Sequence, residues 1–361
     1  MTQQEDYSGT RAVTPAQAFD QDALAHWLKQ HLSGFAGPLR VESFKGGQSN
    51  PTYKLITPSQ TYVMRSKPAP VAKLLPSAHA IEREFAVMKA LAHTDVPVPQ
   101  MLCLCEDESV IGRAFYIMTM VSGRIWWDQS LPDMASIERA AIYDEMNRVI
   151  AALHTVNYQA IGLASYGKPG NYFERQIGRW SKQYIASIIE PIGEMDRLMD
   201  WLPAHIPAMA RDPALVSIVH GDYRMDNLVF HPTEARVIAV LDWELSTLGH
   251  PLADFSYHCM AWHIAPGAFR GIGGLDLAAL GIPAEDDYIR RYCQRTGLAT
   301  PGQLAADWSF YMAYNLFRMA AILQGIGKRA QDGTAASAQA LRAAAGARPL
   351  AELAWQFAQR I

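Results

Sequence analysis

The segment from Ser217 to Glu244 constrains this chain more than any other. It reads as an apolar strand, SIVH, then the polar run Gly221-Asp222-Tyr223-Arg224-Met225-Asp226-Asn227 and a second apolar strand, Leu228-Val229-Phe230. A short turn, HPTEA, then leads to a third strand, VIAVL, which ends in Asp242-Trp243-Glu244. Short strands bounded by turn residues make a rigid frame, and polar side chains crowded at their ends stand where such a frame presents chemistry. Singly, an Asp or Asn beside a turn is a turn former or a cap. The information lies in the order: strand, His-Gly-Asp, four residues, Asn, strand, turn, strand, Asp-Trp-Glu.

The rest of the chain divides around that frame. Half of the 361 residues are apolar, enough to bury a large core, and the length predicts two lobes around a cleft. A polar tail precedes a helix near Phe19 to Leu32, where Leu24 and Leu28 recur at helical spacing. From Val41, VESFKGG and TYKLI read as a hairpin and TYVMRSKP as a further strand. AHAIEREFAVMKALAHT is helical through Ile81, Phe85, Met88 and Leu91, and FYIMTMV is a buried strand. These pieces predict a small α+β lobe with an antiparallel sheet over residues 1–121. The turn-rich SGR at 122–124 marks the boundary, and residues 122–361 predict a larger, mainly helical lobe. Its helices run from Ile137 to His154 and from Tyr172 to Ile189. Trp308, Tyr311, Tyr314, Phe317 and Ile322 form a core-facing stripe, and the Ala-rich stretch 335–347 is a helix former.

Asp222 and Asn227 are five apart, as are the base and the metal-binding asparagine in the catalytic loop H-R-D-x-x-x-x-N of protein kinases. Phosphoryl transfer asks a protein for a carboxylate that accepts the hydroxyl proton and for oxygen ligands that hold magnesium against the phosphates. Asp222 supplies the first and Asn227 with Asp242 the second, which makes Mg2+ an expected cofactor. Upstream, Phe44 to Asn50 forms a Gly-containing turn in which Gly47, Ser49 and Asn50 offer backbone amides to phosphate oxygens. Arg65 lies on TYVMRSKP in the place of the phosphate-binding strand lysine of V-A-I-K, with Glu84 on the next helix as its anchor. Lys67 shares the Arg65 strand face by period-two alternation and is the alternative phosphate contact. Arg65 is preferred, since its fork suits phosphate. Met118 to Val121 end the last strand of the small lobe, where a nucleotide base would sit. Asp254 reads either as a backbone partner of the catalytic region or as a helix cap. Trp126 and Trp127 read as core, with the lining of an acceptor cleft as the alternative.

With these residues in hand, the chain resembles the aminoglycoside phosphotransferase and choline kinase-like superfamily through GGQSNPTYKL, HGDYRMDN and LDWELSTLGHPLADF, over about residues 40 to 330. The resemblance implies a two-lobed protein-kinase-like fold, ATP as donor, Asp222 as base, Asn227 and Asp242 as magnesium ligands, and Arg65 with Glu84 near the phosphates. A narrower similarity lies in LLPSAHAIEREF, GRIWWD, YGKPGNYFERQIGRWSKQY and FYMAYNLFRMAAILQGIGKR. These look like the kinase-like domain that some acyl-CoA dehydrogenase family members carry at their amino-terminal side. That similarity implies a hydroxyacyl thioester as acceptor. The two lobes take up these residues, so no flavin-binding dehydrogenase domain is expected within them. An amino alcohol, a sugar or an aminoglycoside remains open as acceptor, because acceptor pockets vary on a shared scaffold.

Two other classes compete. A catalytically silent nucleotide-binding module finds its best argument in Arg65 where kinases carry lysine; Asp222, Asn227 and Asp242 together argue against it. A hydrolase would use the same carboxylates with water as acceptor. The formal charge of -3, without a long basic run, is not that of a protein that grips nucleic acid. The opening MTQQEDYSGT is polar and no stretch approaches the apolar length of a membrane span, so a cytoplasmic location is expected. Four cysteines, at 103, 105, 259 and 293, are too sparse for a disulfide framework or a zinc site. The acceptor is a small molecule on this reading, and oligomeric state is left open.

Overall fold

The computed structural model describes residues 9–45, 50–68, 80–267, 270–332 and 343–361. The chain folds into two units. The first comprises Met1–Trp127, Gln159–Leu163 and Met225–Ser246, and the second Asp128–Tyr158, Ala164–Arg224 and Thr247–Ile361.

The first unit is built from β1 (Thr10–Arg11), α1 (Gln21–His31), β2 (Arg40–Phe44), β3 (Thr52–Ile56), β4 (Thr61–Ser66), α2 (Ile81–Leu91), β5 (Met101–Cys105) and β6 (Phe115–Thr119). Its six strands make one antiparallel sheet in the order β1-β2-β3-β4-β6-β5. The β3–β4 hairpin closes through Thr57-Pro58-Ser59-Gln60, where proline presets the turn and Thr57 bonds the Gln60 carbonyl with both its N–H and its hydroxyl, each at 2.9 Å. Period-two alternation sends Tyr53, Leu55, Met64, Phe115 and Ile117 to one face, which Leu24 and Leu28 of α1 cover. The helix starts at Asp20, whose carboxylate accepts from the Ala23 N–H at 2.9 Å. Alternation also turns Arg65 and its cross-strand partner Tyr116 to the opposite face, toward α2.

The second unit begins with α3 (Ser136–Thr155), α4 (Tyr172–Ala186), α5 (Gly193–Ala204) and β7 (Ser217–Val219). The chain then returns to the first unit for β8 (Leu228–Phe230) and β9 (Val237–Val240). It finishes in the second with β10 (Thr247–Gly249), α6 (Pro251–Cys259), α7 (Leu277–Leu280), α8 (Glu285–Thr296), α9 (Pro301–Gln331) and α10 (Ala347–Ala358). The sequence predicts a single cut after Val121; instead, the first unit runs on to Trp127 and reclaims Met225–Ser246. Backbone bonds explain this. Val240 N–H donates to the Pro97 carbonyl at 2.8 Å, and Arg124 and Phe230 exchange two bonds of 2.8 Å. Gly123 lies so close to this strand that a Cβ there would stand 2.1 Å from the Phe230 carbonyl oxygen.

In the second unit, β7 pairs with β10, Thr247 opposite Val219 and Gly249 opposite Ser217. The long α9 opens with a capping box: Gln303 N–H donates to the Thr300 hydroxyl, and Thr300 N–H donates to the Gln303 side chain. Its stripe of Trp308, Tyr311, Tyr314 and Phe317 is buried as expected, with Ile322 half-buried. Of the Ala-rich stretch, residues 335–342 lie outside the described residues. Among the described residues no helix is long and apolar enough to cross a membrane.

His250 caps α6. Its Nδ1 accepts from the Leu252 N–H at 3.2 Å while Nε2 stands 3.2 Å from the Met209 carbonyl, an arrangement suited to a neutral ring. Burial pushes the His250 pKa down to about 4, and burial pushes His258 down to about 4 as well. Both rings are thus neutral when folded and charge on unfolding, so the unfolded chain binds more protons between these values and about 6.5. Their contribution to stability is complete above pH 6.5 and is lost as pH falls toward 4. We expect the melting temperature to fall through that window, and His250→Asn, which caps without titrating, to flatten the decline in melts recorded from pH 7 to 4.

Candidate functional site

Within the first unit the site gathers around one guanidinium. Arg65 on β4 is 8 % exposed. Its Nε lies 2.9 Å from Glu84 Oε2, and its Nη2 lies 2.8 Å from Asp242 Oδ1 and 3.5 Å from Glu244 Oε2. Burial works against the charge on Arg65, but the Glu84 and Asp242 carboxylates outweigh it and hold the pKa above its ordinary value. Glu84 is 2 % exposed, and burial pushes its carboxyl up against the pull of Arg65. Two further donors satisfy it: Asn50 Nδ2 to Oε1 at 2.8 Å and the Tyr116 hydroxyl to Oε2 at 3.1 Å. Arg65 and Tyr116 face each other across β4 and β6, so register alone brings both to the same carboxylate.

The β8–β9 hairpin positions the two proposed metal ligands of the same unit. Leu228 pairs with Val240, and the Leu241 N–H donates to the Asn227 carbonyl at 2.8 Å, so Asn227 and Asp242 stand at the same end of the hairpin. Asp242 has φ 66° and ψ 61°, the left-handed conformation that few residues other than glycine adopt. Such strain is sustained where the surroundings fix a functional side chain. The donors suit magnesium, which favours hard oxygen atoms and takes one or two carboxylates alongside substrate phosphates rather than a cage of protein ligands. Among the described residues no group of three or more His, Cys, Asp or Glu could itself hold a metal ion. Glu84, Asp242 and Glu244 share one guanidinium, and the excess negative charge suits a second cation.

In the second unit the loop after β7 carries Asp222. Gly221 has φ 81°, open only to glycine at little cost. The loop is held from several sides. Asp254 of α6, 2 % exposed, accepts from the His220 N–H at 2.7 Å and the Gly221 N–H at 2.8 Å. Burial alone would raise its carboxyl; the hydrogen bond and charge of His154 overcome that and hold it below the ordinary carboxylate range. His154 Nδ1 in turn lies 2.7 Å from the Tyr292 hydroxyl. Arg318 of α9 donates to the Gly221 carbonyl at 2.6 Å, and Tyr223 donates its hydroxyl to Met146 of α3 at 2.9 Å. The Asp222 carboxylate receives the Tyr257 hydroxyl on Oδ1 at 2.5 Å and Arg224 Nη2 on Oδ2 at 2.9 Å. Arg224 Nε lies 2.8 Å from Oδ1.

The sequence-predicted residues thus fall into two groups. Arg65, Glu84, Asn227 and Asp242 share the first unit and Asp222 stands in the second, the division falling between Arg224 and Met225. Asn50, expected to offer its amide to phosphate, has its side chain seated on Glu84. Gly47 and Ser49 lie outside the described residues. Lys67 pairs with Glu82. Asp254 bonds the loop backbone, and the cap of α6 is His250. Trp126 packs on Phe230 with ring centroids 4.9 Å apart. Missed were Glu244, Tyr116, Tyr257, Arg318 and His154. Glu244 was signalled by the carboxylate two residues from Asp242, and Tyr257 by its place one turn after Asp254.

Removing the cation tests the cluster. Arg65→Met leaves a buried carboxylate uncompensated and should lower the unfolding free energy by about 3 kcal/mol. Arg65→Lys, one point charge where the guanidinium reaches three carboxylates, should fall between that variant and wild type in urea unfolding.

Comparison with known proteins places the chain in a family. Residues 40–305 match the phosphotransferase enzyme family. Acyl-CoA dehydrogenase family member 10 of Mus musculus is 47 % identical over 355 residues, covering 97 % of this chain and 32 % of that protein. The chain spans less than half the length of the curated relatives it matches. Among solved structures, a candidate aminoglycoside phosphotransferase from Ralstonia eutropha is 66 % identical, with a TM-score of 0.86 over 95 % of this chain and 99 % of that one. Choline kinase from Cryptosporidium parvum, 12 % identical, shares the fold at a TM-score of 0.66 over 94 % and 96 % of the two chains. The chain therefore belongs to the phosphotransferase enzyme family.

Proposed function

We propose that this protein is an ATP- and magnesium-dependent phosphotransferase that moves the γ-phosphate to the hydroxyl of a small molecule, with a hydroxyacyl-CoA as the acceptor class. The observation that carries the reading is the formed Arg65–Glu84 pair at 2.9 Å, whose guanidinium also reaches Asp242. In kinases the strand cation and the helix glutamate must be joined for transfer, and a silent module has no need to keep them so. Arg65 in place of lysine retains the charge and adds a second donor arm, which suits phosphate oxygens.

In this scheme Asp222 accepts the proton of the acceptor hydroxyl as that oxygen bonds to phosphorus and the bond to the departing ADP oxygen breaks. Asn227 and Asp242 would hold magnesium, which neutralises charge on the phosphates when bound. The hydroxyacyl-CoA assignment is supported by similarity along nearly the whole chain to proteins named as acyl-CoA dehydrogenase family members. Aminoglycosides are a weaker choice, since polycations call for an acidic surface.

Asp222→Asn should keep the fold and Mg-ATP binding while turnover falls by roughly a hundredfold, the contribution typical of a general base. Steady-state ADP formation with a hydroxyacyl-CoA acceptor, beside nucleotide titration of the same variant, measures both. Turnover near that of the wild type would remove Asp222 from the role.

A further inference from the structure

Helix α6 carries two side chains, three residues apart, that reach the same loop. Asp254 fixes the backbone N–H groups of His220 and Gly221, and Tyr257 donates its hydroxyl to Asp222 Oδ1 at 2.5 Å. Residues at i and i+3 share a helix face, so one surface of α6 grips the loop by its backbone and by its functional carboxylate.

The helix is itself held. All nine of its residues are buried, and Asn315 of α9 donates to the Ala253 carbonyl at 3.1 Å and the Ser256 hydroxyl at 2.7 Å. Arg318, also on α9, joins the two contacts: it donates to the Gly221 carbonyl at 2.6 Å and lies 5.0 Å from the centroid of the Tyr257 ring. Tyr257 is 4 % exposed. Burial, then the nearby Asp222 charge, keeps its proton on oxygen, so the phenol acts as a donor. Packing alone does not account for it, because phenylalanine would fill the same space without placing a hydroxyl beside a carboxylate.

Resting on the assignment of Asp222 as base, we propose that Tyr257 is a positioning residue for phosphoryl transfer. Its hydroxyl holds Asp222 Oδ1 from the α6 side while Arg224 holds the carboxylate from within the loop. The carboxylate therefore keeps one orientation when the acceptor hydroxyl arrives. Misplacing a reacting group by a fraction of its hydrogen-bond length is costly in rate, whereas affinity for the nucleotide does not depend on it.

The test is a cycle of Tyr257→Phe, Asp222→Ala and the double variant, with Tyr311→Phe as a control that removes another buried phenol hydroxyl. Tyr257→Phe should lower kcat about tenfold, with KM for ATP unchanged. Tyr311→Phe should leave kcat near wild type. In the Asp222→Ala background, Tyr257→Phe should change neither the residual rate nor the urea midpoint further, because the hydroxyl has already lost its partner. Wild-type kcat in Tyr257→Phe, or an equal loss with and without Asp222, overturns the proposal. A wild-type protein that transfers no phosphoryl group overturns the assignment of Asp222, and with it the role of Tyr257. The urea cycle would still report the contact itself, and additive midpoints would show that the hydroxyl and the carboxylate do not interact.

Discussion

A buried guanidinium shared among three carboxylates organises the first unit of this protein. Arg65 is fixed by β4, Glu84 by α2, and Asp242 and Glu244 by the turn that follows β9. Each charge is costly to bury alone and tolerable only when the others are in place. The sheet, the helix above it and the returning hairpin are therefore tied by electrostatics as well as by packing. The same interaction adds to the backbone bonds of Val240 with Pro97 and of Phe230 with Arg124 that hold Met225–Ser246 in this unit.

The second unit solves a different problem, the immobilisation of a loop. Gly221 permits a turn that other residues resist, and the polar groups which that turn exposes to the interior are met by Asp254 and Arg318. A buried polar network of this kind is stable only when each member is satisfied, so every helix that contributes to it is fixed by the others. Helices α6 and α9 thus serve the loop as much as the core. That is why their inward faces carry Asp254, Tyr257, Asn315 and Arg318 among the aromatic residues.

Much of this was legible in the sequence, for physical reasons. Alternation over five or six residues marks β2, β3 and β4, and helical spacing marks α1 and α2, so the small sheet follows directly. Arg65 and Glu84 were found by position, Arg65 where the V-A-I-K strand carries its lysine and Glu84 on the helix that follows. The strands of three residues were harder. Thr247–Gly249 carries too little alternation to be seen, and its pairing with Ser217–Val219 depends on contacts across some thirty residues of chain. Tyr257 and Arg318 were hidden for the opposite reason, since a tyrosine or arginine within a buried helix looks like ordinary core or a solvated face until its partner is placed. Asn50 shows what motif logic does not reach: the sequence singles out its backbone amide, and its side chain has a separate task, to serve Glu84.

The proposed transfer of a phosphoryl group from ATP to an alcohol is what every site assignment above rests on. The most direct measurement is mass spectrometry of reactions containing protein, ATP, magnesium and a panel of hydroxyacyl-CoA esters, amino alcohols, sugars and aminoglycosides. The account predicts one acceptor class carrying phosphate on its hydroxyl, in step with the ADP formed. ADP and inorganic phosphate accumulating with every acceptor unmodified would contradict it and identify a hydrolase.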